Sequence, residues 1–154
     1  MRIENITSAQ NQKIKELLAL QEKSKLRRSE RFVVEGRREL GHCLDAGFVP
    51  KTLFICGEIL TEEELNDLLG KSEKLNPKVG VVQVSYELYG KIAYRGGTEG
   101  VLAEVEFRDR TLDSLRLSKN PLVIVLEGVE KPGNLGAVLR SADAAGADAV
   151  IICD

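Results

Sequence analysis

Short β-rich runs alternate with amphipathic helical stretches along this 154-residue chain, and that alternation limits its fold more than any other feature. Arg31 to Glu35, Thr52 to Cys56, Val79 to Val84 and Val101 to Phe107 are rich in β-branched and aromatic residues and read as strands. Between them, Arg37 to Ala46 (closed by Gly47 and followed by Pro50), Thr61 to about Leu69, and Ser85 to Ile92 read as helices. Thr61-Glu-Glu-Glu64 has the form of a capping box, in which the threonine and the third glutamate satisfy free helix amides. An earlier helix, starting near Ser8, gathers Ile14, Leu17, Leu18 and Leu20 on one side and turns Lys13, Lys15 and Glu16 to water. Each helix must bury its stripe on a sheet face, which predicts an α/β fold: a three-layer N-terminal domain over residues 1–107 with a mostly parallel sheet.

Arg108 to Asn120, with Arg108-Asp-Arg110 at one end and Asn120-Pro121 at the other, reads as a linker with one helical turn at Leu112 to Leu115. A second unit, residues 121–154, opens with the all-apolar strand Leu122 to Leu126 and ends with another, Ala149 to Cys153. Continuous apolar runs of this kind suit parallel strands buried on both faces. The helix between them carries Leu135, Val138, Leu139 and Ala142 at i, i+3, i+4 and i+7, so this side packs on the sheet and Arg140 points away.

Composition excludes several classes of function. Hydrophobic residues at 43% and charged residues at 30% are those of a soluble globular protein, and no apolar run approaches the roughly 18 residues a membrane span needs. The charged and amide residues of MRIENITSAQNQKIKELL leave no room for a signal-peptide core, which predicts a cytoplasmic location. Cys43, Cys56 and Cys153 form no CxxC pair and are read as buried reduced thiols. His42 is the only histidine and is read as a structural helix residue, so no metal site is expected.

The net charge of −2 hides an uneven distribution. Residues 1–40 contain ten Lys or Arg against six Glu, a net +4, and the remainder of the chain carries −6. Lys23, Lys25, Arg27, Arg28 and Arg31 cluster, followed by Arg37 and Arg38. Such a patch can neutralise phosphates, although Glu22, Glu30, Glu35 and Glu39 dilute it and a solvated helical face would look the same.

The segment EGVEKPGNLGAVLRSADAAG, Glu127 to Gly146, sets Asn134 and Arg140 into one strand-loop-helix unit. Asn134 is placed as an N-cap, and Arg140 as an exposed residue one turn before Asp143. Gly133 and Gly136 permit close approach of a ligand at the helix start. A P-loop is excluded because no Gly-Lys-Ser/Thr closes the loop. A dinucleotide-binding βαβ remains open, with Asp154 where a ribose-binding acid would sit, against the wrong glycine spacing and Pro132 in the loop. Spacing alone does not choose between a ligand site and a merely capped helix.

KPGNLGAVLRSADAAG resembles the first signature motif of the SpoU/TrmH family of RNA ribose 2′-O-methyltransferases, members of the knotted SPOUT superfamily. FVVEGRRELGHCLDAG and GTEGVLAEVE resemble the FxVEGxxxVxEAL segment and the last strand of the substrate-binding domain often fused to these enzymes, a domain like the kink-turn-binding ribosomal proteins. The resemblance implies methyl transfer from S-adenosylmethionine to a ribose 2′-hydroxyl of structured RNA, ribosomal or transfer, with residues 1–107 and the basic segment Lys23 to Arg38 holding the RNA. It assigns Arg140 to activation of the hydroxyl, Asn134 to organisation of the site and Glu127 to its support. A guanidinium stays protonated, so hydrogen bonding to the hydroxyl or a phosphate is the easier role for Arg140.

The family's second and third motifs, its S-adenosylmethionine-binding knot and its homodimer interface lie beyond the part that residues 121–154 resemble. That implies an incomplete βαβ start of the catalytic domain, no cofactor-binding residue in this chain, uncovered apolar faces on both strands and on the Leu135 helix, and no activity from these residues alone. A non-catalytic RNA-binding module is the alternative.

Overall fold

The computed structural model describes residues 3–22, 30–94, 96, 99–108 and 111–153. The chain divides into two compact units, residues 1–108 and 109–154.

The first unit is the expected three-layer α/β sandwich. Its strands are β1 (Ile3–Ile6), β2 (Arg31–Glu35), β3 (Pro50–Ile55), β4 (Gly80–Val84) and β5 (Val101–Glu106), in the sheet order β1-β4-β3-β5-β2. Its helices are α1 (Gln12–Gln21), α2 (Arg37–Asp45), α3 (Glu62–Leu75) and α4 (Tyr86–Ile92). Period-2 alternation divides the strands between two cores. Leu53, Ile55, Val81, Val101, Ala103 and Val105 pack with Leu40 and Leu44 of α2 and Leu68 of α3. On the other face, Phe54, Cys56, Val82, Val84 and Leu102 pack with Ile14 and Leu17 of α1 and with Leu88, Tyr89 and Ile92 of α4.

The sheet corrects one expectation. β1, β3 and β4 pair in parallel, but β5 pairs antiparallel with both β3 and β2. Four strands therefore share a direction and β5 runs against them, so half the pairings are antiparallel. The cause is the length of α4. Seven residues of helix rise only about 10 Å, too little to carry the chain back along a strand of this length. Val101, the first residue of β5, accordingly lies opposite Ile55, the last of β3.

Boundaries also moved. β1 was not foreseen, and α1 starts at Gln12 rather than near Ser8 because Asn11 takes the cap, its Oδ1 accepting the Lys13 N–H at 2.9 Å. α3 runs through Gly70 to Leu75. The Thr61 capping box forms as expected, with Ser85 capping α4 in the same manner.

β5 carries a charge into the interior: Glu104 is 3% exposed and accepts from Arg31 Nη1 at 3.0 Å. Burial pushes its carboxyl pKa up, and the Arg31 guanidinium pulls it back down. Tyr89 is fully buried and donates its hydroxyl to the Val101 carbonyl at 3.3 Å; its pKa is raised, chiefly by burial.

The second unit has a two-stranded parallel sheet, β6 (Val123–Glu127) and β7 (Ala149–Cys153), crossed by α5 (Pro132–Ala144), with a 3₁₀ turn at Leu112–Ser114 before it. Asp148 ties the unit together. Its carboxylate accepts the Ser118 N–H at 2.7 Å and the Leu122 N–H at 3.0 Å, and these bonds hold its pKa below the usual carboxylate range.

Two further expectations fail in this unit. Asn134 is not the N-cap: Lys131 is, because Pro132, with φ preset for a helix and no N–H to satisfy, occupies the first turn. The strands are not buried on both faces, since Val125 is 61% and Ile152 53% exposed, with Leu122 and Leu139 also open. This uncovered surface matches what the family resemblance implies for this segment. Of the thiols expected to be buried, only Cys56 is; Cys43 is half-buried, and Cys153, at the end of the two-stranded sheet, is exposed.

Candidate functional site

The motif residues gather around the carboxyl end of β6 and the first turns of α5. Glu127 is the last residue of β6 and is exposed. Gly128 then turns the chain with φ +63, a conformation that favours glycine, and α5 begins four residues later. Asn134 is the third residue of α5, exposed, its backbone N–H donating to the Lys131 carbonyl at 3.0 Å.

Arg140 is exposed and, among the described residues, has no ion-pair partner; the pairing with Asp143 does not form. Helical side chains lean toward the N-terminus, and Arg140 follows that rule. Its Nη1 lies 3.5 Å from where a Cβ on Gly136 would stand, so the guanidinium lies back over Gly136, two residues from Asn134. A long side chain at position 136 would occupy that path. Gly133 has open space around it. The helix thus presents a fixed cation and an amide near its N-terminal end, a combination suited to an oxygen nucleophile or a phosphate.

The basic residues of the first unit divide differently. Lys23, Lys25, Arg27 and Arg28 lie outside the described residues. Arg31 is held by buried Glu104. Arg37 joins three segments: it donates to Glu64, the capping residue of α3, and stands 3.9 Å from Glu99 in the loop before β5. Arg38 is exposed. An open hollow of about 570 Å³ between α2 and α3 is lined by Arg37, Arg38, His42 and Lys71, but equally by Asp45, Asp67 and Glu64. Lys71 pairs with Asp45 and Asp67 at 3.5 Å each, and these aspartates raise its pKa. Of the described basic residues, Arg38 is therefore the one best placed for a phosphate, while Arg31 and Arg37 also brace the fold.

Sequence reasoning missed Glu104 and Tyr94. Glu104 had a visible signal, a lone acid inside the apolar run VLAEVE. Tyr94 stands 90% exposed just before a glycine-rich loop, where aromatic side chains are seldom left in water without use.

No group of three or more potential metal ligands occurs among the described residues, and no helix among them is long and apolar enough to cross a membrane.

Residues 11–103 match the MRM3-like substrate binding domain, and residues 121–154 match the SpoU rRNA Methylase family. The 23S rRNA (guanosine-2′-O-)-methyltransferase RlmB of Haemophilus ducreyi is 38% identical over 96 residues, covering 59% of this chain and 38% of that protein. Among solved structures, an RNA 2′-O ribose methyltransferase superposes with a TM-score of 0.73 at 36% identity, covering 97% of this chain and 55% of the other. The AdoMet-bound rRNA methyltransferase of Sinorhizobium meliloti superposes with a TM-score of 0.82 at 27% identity, covering 97% and 54%. The chain thus spans about half, or less, of the length of these relatives. The match over residues 121–154 decides against the dinucleotide-binding alternative. With an MRM3-like substrate-binding domain joined to the start of a SpoU methylase domain, the chain belongs to the SpoU family of RNA 2′-O-ribose methyltransferases.

Proposed function

We propose that this protein works in methylation of a ribose 2′-hydroxyl of ribosomal RNA, with S-adenosylmethionine as methyl donor. The observation that carries the reading is the Arg140 guanidinium lying back over Gly136 toward the Asn134 end of α5, in a βαβ unit that matches the SpoU methylase. The donor supplies an electrophilic methyl group, and no residue described here is assigned to holding it. The hollow of about 800 Å³ in the second unit is lined from Thr111, Leu139 and β7, and contains none of Glu127, Asn134 or Arg140.

The part played by this chain's residues is electrostatic. As the ribose oxygen attacks, charge develops on it while its proton leaves to water or an RNA phosphate. A fixed guanidinium within hydrogen-bond reach stabilises that charge without accepting the proton. Asn134, with both amide donor and acceptor, orients the ribose or a neighbouring phosphate. Glu127 at the strand end supports the same corner.

The first unit holds structured RNA through phosphate contacts from Arg38 and from the basic segment Lys23 to Arg31. Exposed Val125, Ile152, Leu122 and Leu139 support protein cover of the second unit in the active form, the homodimer included, so these 154 residues alone are expected to bind RNA without turnover. A ribosomal RNA substrate agrees with a cytoplasmic setting.

Titration of the chain with fragmented ribosomal RNA over a series of salt concentrations tests the RNA part. Binding should weaken steeply with salt, and triple replacement of Arg27, Arg28 and Arg38 by alanine should flatten that slope. A slope unchanged by the triple replacement removes the phosphate-binding assignment.

A further inference from the structure

Tyr94 marks a cleft that the methyl-transfer motif does not use. Its ring is 90% exposed, yet its backbone is pinned, the N–H donating to Glu35 Oε2 at 2.8 Å. A cleft of about 480 Å³ opens beside it, with Phe32 and Val33 of edge strand β2, Gln21 at the end of α1, and the carboxylates of Glu35 and Glu39. Glu39 folds over Gly36, where an added Cβ would stand 2.4 Å from Glu39 Oε2, and Gly36 has φ +109. The glycine therefore leaves room for a carboxylate at the cleft wall.

Two physical features specify an occupant. An exposed aromatic ring above apolar residues is a stacking platform for a flat ring, and carboxylates accept hydrogen bonds without donating any. An unpaired guanine fits both, since its N1–H and N2–H₂ present adjacent donors to a carboxylate. Uracil presents one N–H between two carbonyl oxygens, which a carboxylate repels. The chemistry also fits charge on either side of the cleft: the sequence joining Gln21 to Phe32, both lining residues, carries Lys23, Lys25, Arg27, Arg28 and Arg31. A base in the cleft would therefore have its flanking phosphates near a cationic segment.

We propose that the Tyr94 cleft receives an unpaired base of the bound RNA, guanine in preference to uracil, stacked on Tyr94 and hydrogen-bonded to Glu35 or Glu39. This deepens the RNA reading of the first unit and rests on it. The cleft is a recognition site, and no bond is made or broken there.

The test uses the whole chain and four RNA hairpins with one stem and the loop AAXAA, where X is G, A, C or U, alongside fragmented ribosomal RNA. The wild-type chain should bind the G hairpin about tenfold more tightly than the U hairpin. Tyr94→Ala should lower affinity for the G hairpin roughly 5- to 150-fold, the range of one base stacked on an aromatic ring, and erase the preference. Tyr94→Phe should stay within threefold of wild type, and Glu39→Gln should reduce the G-to-U ratio. Because Tyr94 is exposed, an unchanged circular dichroism spectrum for Tyr94→Ala accompanies these results. Equal binding of the four hairpins by wild type, or Tyr94→Ala within twofold of wild type on all of them, overturns the cleft while salt-dependent binding of ribosomal RNA leaves the RNA reading intact. Absence of binding to any RNA by the wild-type chain overturns both.

Discussion

Gly100 closes the loop that carries Tyr94 and Glu99 into β5, and its replacement by alanine separates two costs that usually act together. Its φ is +74, and an added Cβ would stand 2.8 Å from Leu60 Cγ and 3.1 Å from two atoms of Ile59. Leu60 is buried at 7% exposure and cannot swing into water. Gly47, after α2, has a nearly equal φ of +77, but its nearest neighbour would be the end of the flexible Arg108 side chain at 3.4 Å. Each alanine loses about 1–2 kcal/mol to the left-handed backbone, and both change the unfolded chain alike. Gly100→Ala adds overpacking of about 1–3 kcal/mol, giving a total of about 2–5 kcal/mol. In urea, at a slope of about 2 kcal/mol/M, Gly100→Ala should unfold about 0.5–1.5 M earlier than Gly47→Ala. Loss of the Tyr89 fluorescence environment, read beside far-ultraviolet circular dichroism, reports the first unit. Equal midpoint shifts with equal slopes would refute the packing argument and leave only backbone strain.

Other consequences follow from charge and from the α5 geometry. Gly136→Leu should place a side chain in the path of Arg140 and lower methyl transfer nearly as far as Arg140→Ala, about 100-fold or more, while Gly136→Ala, whose Cβ meets Arg140 at ordinary contact distance, should keep activity; kinetics of the three variants check the order. The raised pKa of Glu104 means that its contribution to stability is fully present below the unfolded glutamate pKa and is lost as pH rises through the folded value. Glu104→Gln should therefore flatten that fall, and Arg31→Ala should steepen it, in melting curves from pH 4 to 8. Asp148 has the opposite sign: its lowered pKa makes its contribution present above the unfolded aspartate value and lost as pH falls through the folded one. Asp148→Ala should abolish that acid dependence and expose residues 111–122 to protease at neutral pH, as limited proteolysis would show.

The elements set by local chemistry were legible in the sequence. β2, the Thr61 capping box and the turn at Gly36 depend on neighbours in the chain, and they stand where the residues place them. β1 was not legible because IENI is short and half polar, and it becomes a strand only by pairing with β4. The direction of β5 depends on whether seven residues of α4 can return the chain across the sheet, which is a question of length in three dimensions. Gly70 read as a stop but lies mid-helix, because packing of Leu68, Ser72 and Leu75 outweighs one glycine's propensity cost of about 1 kcal/mol.

In the site, Asn134 was taken for the cap although Pro132 carries the stronger signal for a first helical position. The reach of Arg140 over Gly136 follows from helix geometry and four-residue spacing, so it was available in the sequence. The tie between Arg31 and Glu104 was not, because it joins residues 73 positions apart through the pairing of β2 with β5. A basic residue in a cluster can thus be spent on the fold, and only the partner's position reveals it.

The central claim is ribose methylation of ribosomal RNA that depends on Arg140. Mapping 2′-O-methyl groups across ribosomal RNA, in cells with and without the gene encoding this sequence, tests it most directly. The account predicts loss of a 2′-O-methyl group, restored by the wild-type gene and not by one carrying Arg140→Ala. An unchanged map, or full restoration by the Arg140→Ala gene, would contradict it.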